Sequence, residues 1–444
     1  MTSTTLSLDG RLPGHAGALT GEETHALKNL WLRLYDLFKQ PGTKDEPKKT
    51  ENATKPAASS SYGFFGFGAK KEEPKPQEVF LGTTTNTDYL SLPLDQAIGL
   101  IPGAKLEACF WNLVATDNPD ATLLRFLRAR KWDADAAYRM LMNCLRWRIV
   151  NRVDDIVALG ETGLADELER LNPGTGESFL EQLHSRKATL GGPDNHARGV
   201  CFVNVARHHK EEQSLEVMKL LTMYILETSR LFGGHPSDTV CICFNLENFT
   251  MANMDFDFIK FLVTCLEAYY PETLGLCIVH KAPWVFSTVW TMITPLLDPV
   301  VASKIRFTKT LDQLTEFIAV DNLPKAISGK EDNANMDEKI QLDERPAPGP
   351  LNRPETPAIE EYKHAIEKFK TVTQQWAQNT SDDDDQGTLA RLSLACSYRA
   401  ARIKAEPDLR GPTMYHVKKM VTISDQGRLL INLCGKQEDT TERV

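Results

Sequence analysis

Few of the sequence signatures that announce chemistry are present in this chain. No two cysteines stand as C-x-x-C, and no G-x-G-x-x-G, G-x-S-x-G or H-E-x-x-H occurs. A dinucleotide cradle, a nucleophile elbow and a zinc helix of the familiar kinds are therefore not expected. With no nucleophile–base pair in view, we expect no enzyme, no cofactor and no metal. Basic charge is scarce too: 51 Lys and Arg stand against 60 Asp and Glu, a net charge of -9. A dedicated nucleic-acid binder usually carries the opposite excess, so no nucleic-acid partner is expected. The longest uncharged stretch, Ala282 to Leu297, is interrupted by Pro283 and Pro295 and is too short to span a bilayer. The opening MTSTTLSLDGRLPGHAG lacks the basic-then-apolar pattern of a secretory signal. Membrane contact is thus expected to be peripheral, from a cytoplasmic protein. The nine cysteines are odd in number and scattered, and they read as reduced, mostly buried thiols.

Three near-motifs fail on inspection. Ser61-Tyr-Gly-Phe-Phe-Gly-Phe-Gly-Ala-Lys-Lys71 spaces Gly63 and Gly68 like a P-loop, but Ala69 stands where lysine is required and no strand precedes it. Asp382–Asp385 lacks the glycine and the spaced ligands of a calcium loop and reads as solvated linker. His208-His209 would point to opposite faces of a strand, so a solvent loop is expected there.

What is present is ordinary globular material: 444 residues, 41% hydrophobic and 25% charged, enough for two or three domains. Leu27, Leu30, Trp31, Leu34 and Leu37 recur at helical spacing within Gly21–Lys39. A helix this short is marginal alone, so it is expected to pack on the rest of the protein. A Lys/Pro/Ser-rich stretch follows and reads as disordered. From Leu92 to Arg152 two or three helices are expected, one capped by Asp133. Arg125, Arg128, Arg130, Lys131, Arg139, Arg146, Arg148 and Arg152 form a local basic field that reads as a solvated face. Strands are then expected at Lys187–Leu190, Val200–Val205, Val240–Leu246, Leu274–Val279 and Lys304–Phe307. Helices are expected between them at Leu215–Phe232, Phe256–Tyr269 and Trp284–Leu297. That alternation predicts an α/β fold with a mostly parallel sheet. Beyond it, Pro357–Gln378 and Leu389–Lys404 read as helices and Arg428–Leu433 as a strand.

Five strings rise above background: Thr122-Leu-Leu-Arg-Phe-Leu-Arg-Ala-Arg-Lys-Trp-Asp133, Tyr270-Pro-Glu-Thr-Leu-Gly275, Lys281-Ala-Pro-Trp284, Leu297-Asp-Pro-Val-Val-Ala-Ser-Lys-Ile305, and Asp321-Asn-Leu-Pro324 before Ser328-Gly329. In this order and spacing they resemble the CRAL-TRIO lipid-binding family, in particular its longer fungal phosphatidylinositol transfer members. The resemblance implies a small helical bundle (92–153) packed on an α/β lipid-binding domain (175–330). Around these lie an N-terminal helical extension (1–39), a disordered linker (40–91) and a linker with a helical tail (331–444). It implies a monomer that carries one lipid, phosphatidylinositol, in a closed apolar pocket and meets membranes transiently. Arg130, Glu272 and Lys304 match the headgroup contacts, although Val301 replaces a hydroxyl side chain. Trp284, Phe286 and Trp290 match the gate. Val240 and Ile242 stand where phosphatidylcholine binders place hydroxyls, which argues against that lipid and admits a sterol or isoprenoid. A signalling adaptor built on the same fold is a further alternative.

Overall fold

The computed structural model describes residues 6–42, 88–234, 236–328, 345–379 and 384–444. The near-P-loop, most of the expected 40–91 linker, Gly329 and Asp382 and Asp383 lie outside the described residues.

Thr20 caps the first helix, Gly21–Phe38, accepting from Glu23 N while the Glu23 carboxylate accepts from Thr20 N at 2.9 Å. Its stripe is buried as expected, with Leu30, Trp31 and Leu34 wholly out of solvent. Four helices then run at Leu94–Leu100, Gly103–Val114, Pro119–Ala129 and Ala134–Val150, and Asp133 does cap the last. Two more follow at Val153–Leu171 and Thr175–His184, where no element is expected above. The basic field is largely internal rather than solvated. Arg125 pairs with Asp117 at 2.5 Å, Arg128 with Asp238 at 3.5 Å, and Arg148 with Glu227 at 2.7 Å and Asp154 at 2.9 Å. An arginine that clamps two helices looks the same in sequence as one in water.

The central sheet has five strands in sequential order: β1 (Ala188–Gly191), β2 (Gly199–Asn204), β3 (Val240–Asn245), β4 (Leu274–His280) and β5 (Ile305–Thr308). Only β1–β2 is antiparallel. Because β2 to β5 advance in one direction, right-handed crossovers put every connecting helix on one face. These are Leu215–Ser229, Phe256–Ala268 and Phe286–Ile293. The other face is packed solid: Val200, Phe202, Cys241, Cys243, Leu276 and Ile278 meet Leu314, Ile318 and Leu323 from the chain after β5. The expected Trp284–Leu297 helix is cut short, ending at Ile293 and passing into a 3₁₀ turn at Thr294–Leu296. Pro295, with no N–H to donate, accounts for that.

The tail folds back instead of trailing. Pro357–Gln378 and Asp385–Leu409 form a helical pair, capped by Thr356 and Asp384, and the first of them packs on Gly21–Phe38. A three-stranded antiparallel sheet closes the chain: β6 (Val421–Ile423), β7 (Leu429–Leu433) and β8 (Lys436–Asp439). Only β7 had a sequence signal. The tail docks where Gly160 breaks the Val153–Leu171 helix at φ 65°. There Gly349 N donates to Leu159 O and Gly411 N to Val157 O, both at 2.9 Å. A Cβ on Gly349 or Gly411 would collide with the helix backbone, so this contact requires glycine.

Candidate lipid cavity

Beneath the three crossover helices the sheet is not covered tightly, and a cavity of about 280 Å³ remains. Its floor is the alternate set of strand residues, Val203, Val240, Ile242, Phe244, Cys277, Val279 and Ile305. Its roof comes from Met218, Leu221 and Ile225, from Phe258, Leu262 and Leu266, and from Phe286, Val289, Trp290 and Ile293. Period-2 alternation thus sends Cys241 and Cys243 into packed core while Val240, Ile242 and Phe244 face the hollow. Burial pushes the Cys243, Cys277 and Cys201 thiols up to about 12, so they stay protonated and inert. All nine cysteines are free.

Phe286 and Trp290 belong to the wall rather than to an outer surface. Phe286 meets Phe249 edge-on at 5.7 Å, and Trp290 meets Phe307 edge-on at 5.0 Å. Trp284, by contrast, is 88% exposed, and Met292 within the helix and Phe307 against Trp290 are exposed too. Within Phe286–Ile293 only Val289 is fully buried. The outer face of that helix carries Ser287, Thr288 and Thr291, all exposed, so it is neither apolar all round nor deeply packed.

Glu272 and Lys304 come together, with Nζ 4.0 Å from Oε2 and both side chains partly exposed. Glu272 sits at φ 55° in the turn Tyr270-Pro271-Glu272-Thr273. That turn is anchored from behind: Tyr269 stacks on Trp147 at 4.2 Å, and Tyr270 Oη donates to Glu227 Oε1 at 2.7 Å. Burial raises the Glu227 carboxyl, but Arg148 and Arg230 outweigh it and hold the group at about 2. Lys304 is fixed through its carbonyl, which accepts from Cys277 N of β4 at 3.0 Å. Arg130 is not gathered with this pair. It is exposed at the end of Pro119–Ala129, and its guanidinium bonds Ala129 O at 3.2 Å. Among the described residues it makes no hydrogen bond or ion pair with Glu272 or Lys304; the arginine that feels the Glu272 charge is Arg128. Val301 lines the cavity and brings no hydroxyl.

His208 is not in a solvent loop. It is 7% exposed and lines the far end of the cavity with Lys187, Asn204, Asn253 and Asp255. Lys187 reads in sequence only as the start of a strand and His208 only as a loop residue, and nothing there marks either as lining a cavity; Asp255 caps the Phe256–Ala268 helix. Among the described residues no group of three or more His, Cys, Asp or Glu could hold a metal ion. None of the described helices is long and apolar enough to cross a membrane.

The chain matches the family model of the CRAL/TRIO domain over residues 183–329 and that of the CRAL/TRIO N-terminal domain over residues 69–143. It is 33% identical over 434 residues to the phosphatidylinositol transfer protein CSR1 of Eremothecium gossypii, covering 91% of this chain and 97% of that one. Similarity to a CRAL-TRIO domain-containing protein of Schizosaccharomyces pombe is 38% over 280 residues, 62% of this chain and 60% of the other. The SEC14 cytosolic factor of Kluyveromyces lactis is 27% identical over 234 residues, half of this chain and 75% of its own.

Proposed function

The chain belongs to the CRAL/TRIO family, and from that membership and the cavity we propose that it is a non-enzymatic lipid transfer protein. It takes one lipid, phosphatidylinositol, under the Phe286–Ile293 helix and releases it at a membrane. The observation that carries this reading is the hollow itself, apolar on floor and roof and bordered by a helix with few buried side chains of its own. A void that size inside a packed interior forfeits contacts unless something fills it. The name of the E. gossypii relative supports phosphatidylinositol as the filler.

The headgroup is proposed to sit at Glu272 and Lys304, with Arg130 carried alongside them by the resemblance. Lys304 offers N–H donors to the phosphate, and Glu272 accepts from inositol hydroxyls. Holding each other loosely at 4.0 Å in partial solvent, the two give up only about 0–1 kcal/mol when a headgroup separates them. Val240 and Ile242 on the floor offer no hydrogen bond to a choline headgroup. The protein is proposed to work as a cytoplasmic monomer, peripheral to membranes, with exposed Trp284 making first contact.

Native mass spectrometry of the purified full chain, paired with vesicle transfer of labelled phosphatidylinositol, tests this. One bound phospholipid per chain and measurable transfer are expected. The double change Glu272→Ala with Lys304→Ala is expected to abolish phosphatidylinositol transfer while lowering stability by less than about 1 kcal/mol. Transfer by the double variant at the unmodified rate would refute the headgroup assignment. A chain that neither holds nor moves any lipid would refute the carrier reading.

A further inference from the structure

The cavity has one polar end at Lys187 and His208, away from Glu272 and Lys304, which do not themselves line it. Glu272 precedes β4 at the edge where Gly199, Val240 and Leu274 stand in register, and Lys304 precedes β5, whose Ile305 is in register with Cys277. At the opposite edge Asn204, Asn245 and His280 are in register. The 6 residues of β2 run from one edge to the other, five steps or roughly 17 Å at about 3.3 Å each. Beyond that far edge the chain turns through Val205–Arg207 and brings His208 back over the cavity. Asn253 locks the turn, its Nδ2 donating to His208 O at 2.9 Å and Ala206 O at 3.3 Å.

Two groups at this end lack the partners that buried polar atoms ordinarily have. Among the described residues Lys187, 3% exposed, has only Gln213 Oε1 as a side-chain partner, at 3.3 Å, with the charge of Glu212 acting at longer range. Neither ring nitrogen of His208 has a hydrogen-bond partner among the described residues, the nearest carboxylate oxygen, from Asp255, being 3.6 Å from Nε2. Asp255 is already committed, accepting from Phe258 N at 3.0 Å as a helix cap. Unsatisfied buried polar atoms are uncommon and call for an explanation. Here they face an otherwise apolar hollow.

We infer that this end receives the terminal hydroxyl of an elongated neutral lipid, a long-chain alcohol lying along the sheet with its oxygen between Lys187 and His208. The inference rests on the carrier reading above and names a second ligand class for the same cavity. Charge selects the hydroxyl. Lys187 and Asp255 already supply one formal charge of each sign, so a carboxylate or phosphate would leave a buried excess. A hydroxyl leaves none: it accepts from the Lys187 ammonium and donates to the free imidazole nitrogen. Burial, and then the nearby ammonium of Lys187, lower the His208 pKa, which keeps the ring neutral and one nitrogen able to accept. Size points the same way, since about 280 Å³ lies at the lower edge of the about 300–1,000 Å³ of small-molecule sites.

The test measures uptake by the full chain of tritiated hexadecan-1-ol and tritiated hexadecane from phosphatidylcholine vesicles, each corrected for its partition into the vesicles. The alcohol is expected to be retained about tenfold over the alkane, the worth of one or two buried hydrogen bonds. Lys187→Met, which keeps the stem, and His208→Phe, which keeps the ring against Phe258, are expected to bring that ratio to about one. An unmodified ratio near one overturns the inference, as does a variant that loses alcohol and alkane in equal proportion. Should a variant fail to fold, the unmodified ratio still decides. If phosphatidylinositol transfer proceeds while the ratio is one, only this inference falls; if nothing is taken up or transferred, the carrier reading falls with it.

Discussion

Two helices rich in tryptophan and aliphatic residues meet opposite fates in this molecule. Gly21–Phe38 buries Trp31 completely among Tyr35, Phe110, Trp111 and Phe369. Phe286–Ile293 leaves Trp284 at its N-terminal edge 88% exposed and Trp290 half-buried over a hollow. Their apolar content does not separate them. What differs is the set of partners. The first helix is covered by Pro357–Gln378, Gly103–Val114 and Pro119–Ala129. Its indole donates to Asp120 Oδ1 at 2.8 Å, and the same carboxylate takes two N–H groups of Arg391 at 2.6–3.1 Å. The second has a cavity behind it and solvent in front. The helix proposed as the gate is thus an apolar one left without a full set of neighbours.

The largest expected effect tests that contrast directly. Trp31→Ala opens a void in a closed aromatic cluster and removes one donor from the Asp120 carboxylate, which keeps Arg391, so a loss of about 3–5 kcal/mol is expected in urea unfolding. Trp290→Ala, the same deletion against an existing hollow, is expected to cost less than about half as much. Equal losses would mean that the gate is as tightly held as the bundle.

Acid should come next, and on one side of the comparison only. The clamped body carries buried ionisable groups, whereas Trp284–Leu297 has none. Burial, together with Arg345 and Arg186, lowers His184 from 6.5 to about 4; burial and Arg410 do the same to His416. Depressed histidines contribute stability that is full above pH 6.5 and lost as pH falls towards 4. Burial alone would raise Glu406, but Arg402 and Arg410 outweigh it and hold the group at about 2. That contribution, like the one from Glu227, is present above pH 4.5 and lost as pH falls towards 2. Glu161, raised by burial to about 6, works in the opposite sense: its contribution is full below pH 4.5 and lost as pH rises through 6. Of these groups Glu406 and His416 lie in the tail itself, so acid is predicted to undock the tail first. Hydrogen exchange at pH 4, corrected for intrinsic rates, should show protection lost at 385–417 and little changed in the gate. Uniform loss across the molecule would show that the tail is not separately clamped.

Much of this was readable in advance, for physical reasons. The continuous apolar run Val240–Leu246 marked a strand covered on both faces, though not which of the two borders the cavity. The Trp31 stripe was legible because helical spacing permits one apolar side. The buried arginines were not: Arg148 and Arg130 are the same residue type on neighbouring helices, and only the fold supplies Glu227 to one and water to the other. His208 failed likewise, since a histidine after a strand carries no sign of which way the turn will throw it. The tail's return depended on Gly349 and Gly411 meeting Gly160, glycines far apart in the chain whose mutual fit no local pattern encodes.

The smallest effect on stability should be the largest on membrane contact. At 88% exposure Trp284 gives up almost no burial when truncated, so Trp284→Ala is expected to shift folding by no more than about 0.5 kcal/mol. Tryptophan nonetheless suits the bilayer interface, with its apolar rings and one N–H. Burying even about a third of its surface there contributes on the order of 1–1.5 kcal/mol, which is about tenfold in vesicle affinity. Cosedimentation with phosphatidylcholine vesicles should therefore weaken by about that factor, and phosphatidylinositol transfer should fall with it. The Glu272→Ala with Lys304→Ala chain provides the opposite case, because its gate is intact: it should sediment normally and transfer nothing. If Trp284→Ala sediments like the unmodified chain, the exposed tryptophan is not the membrane contact, and exposure at this helix reflects only a shortage of neighbours.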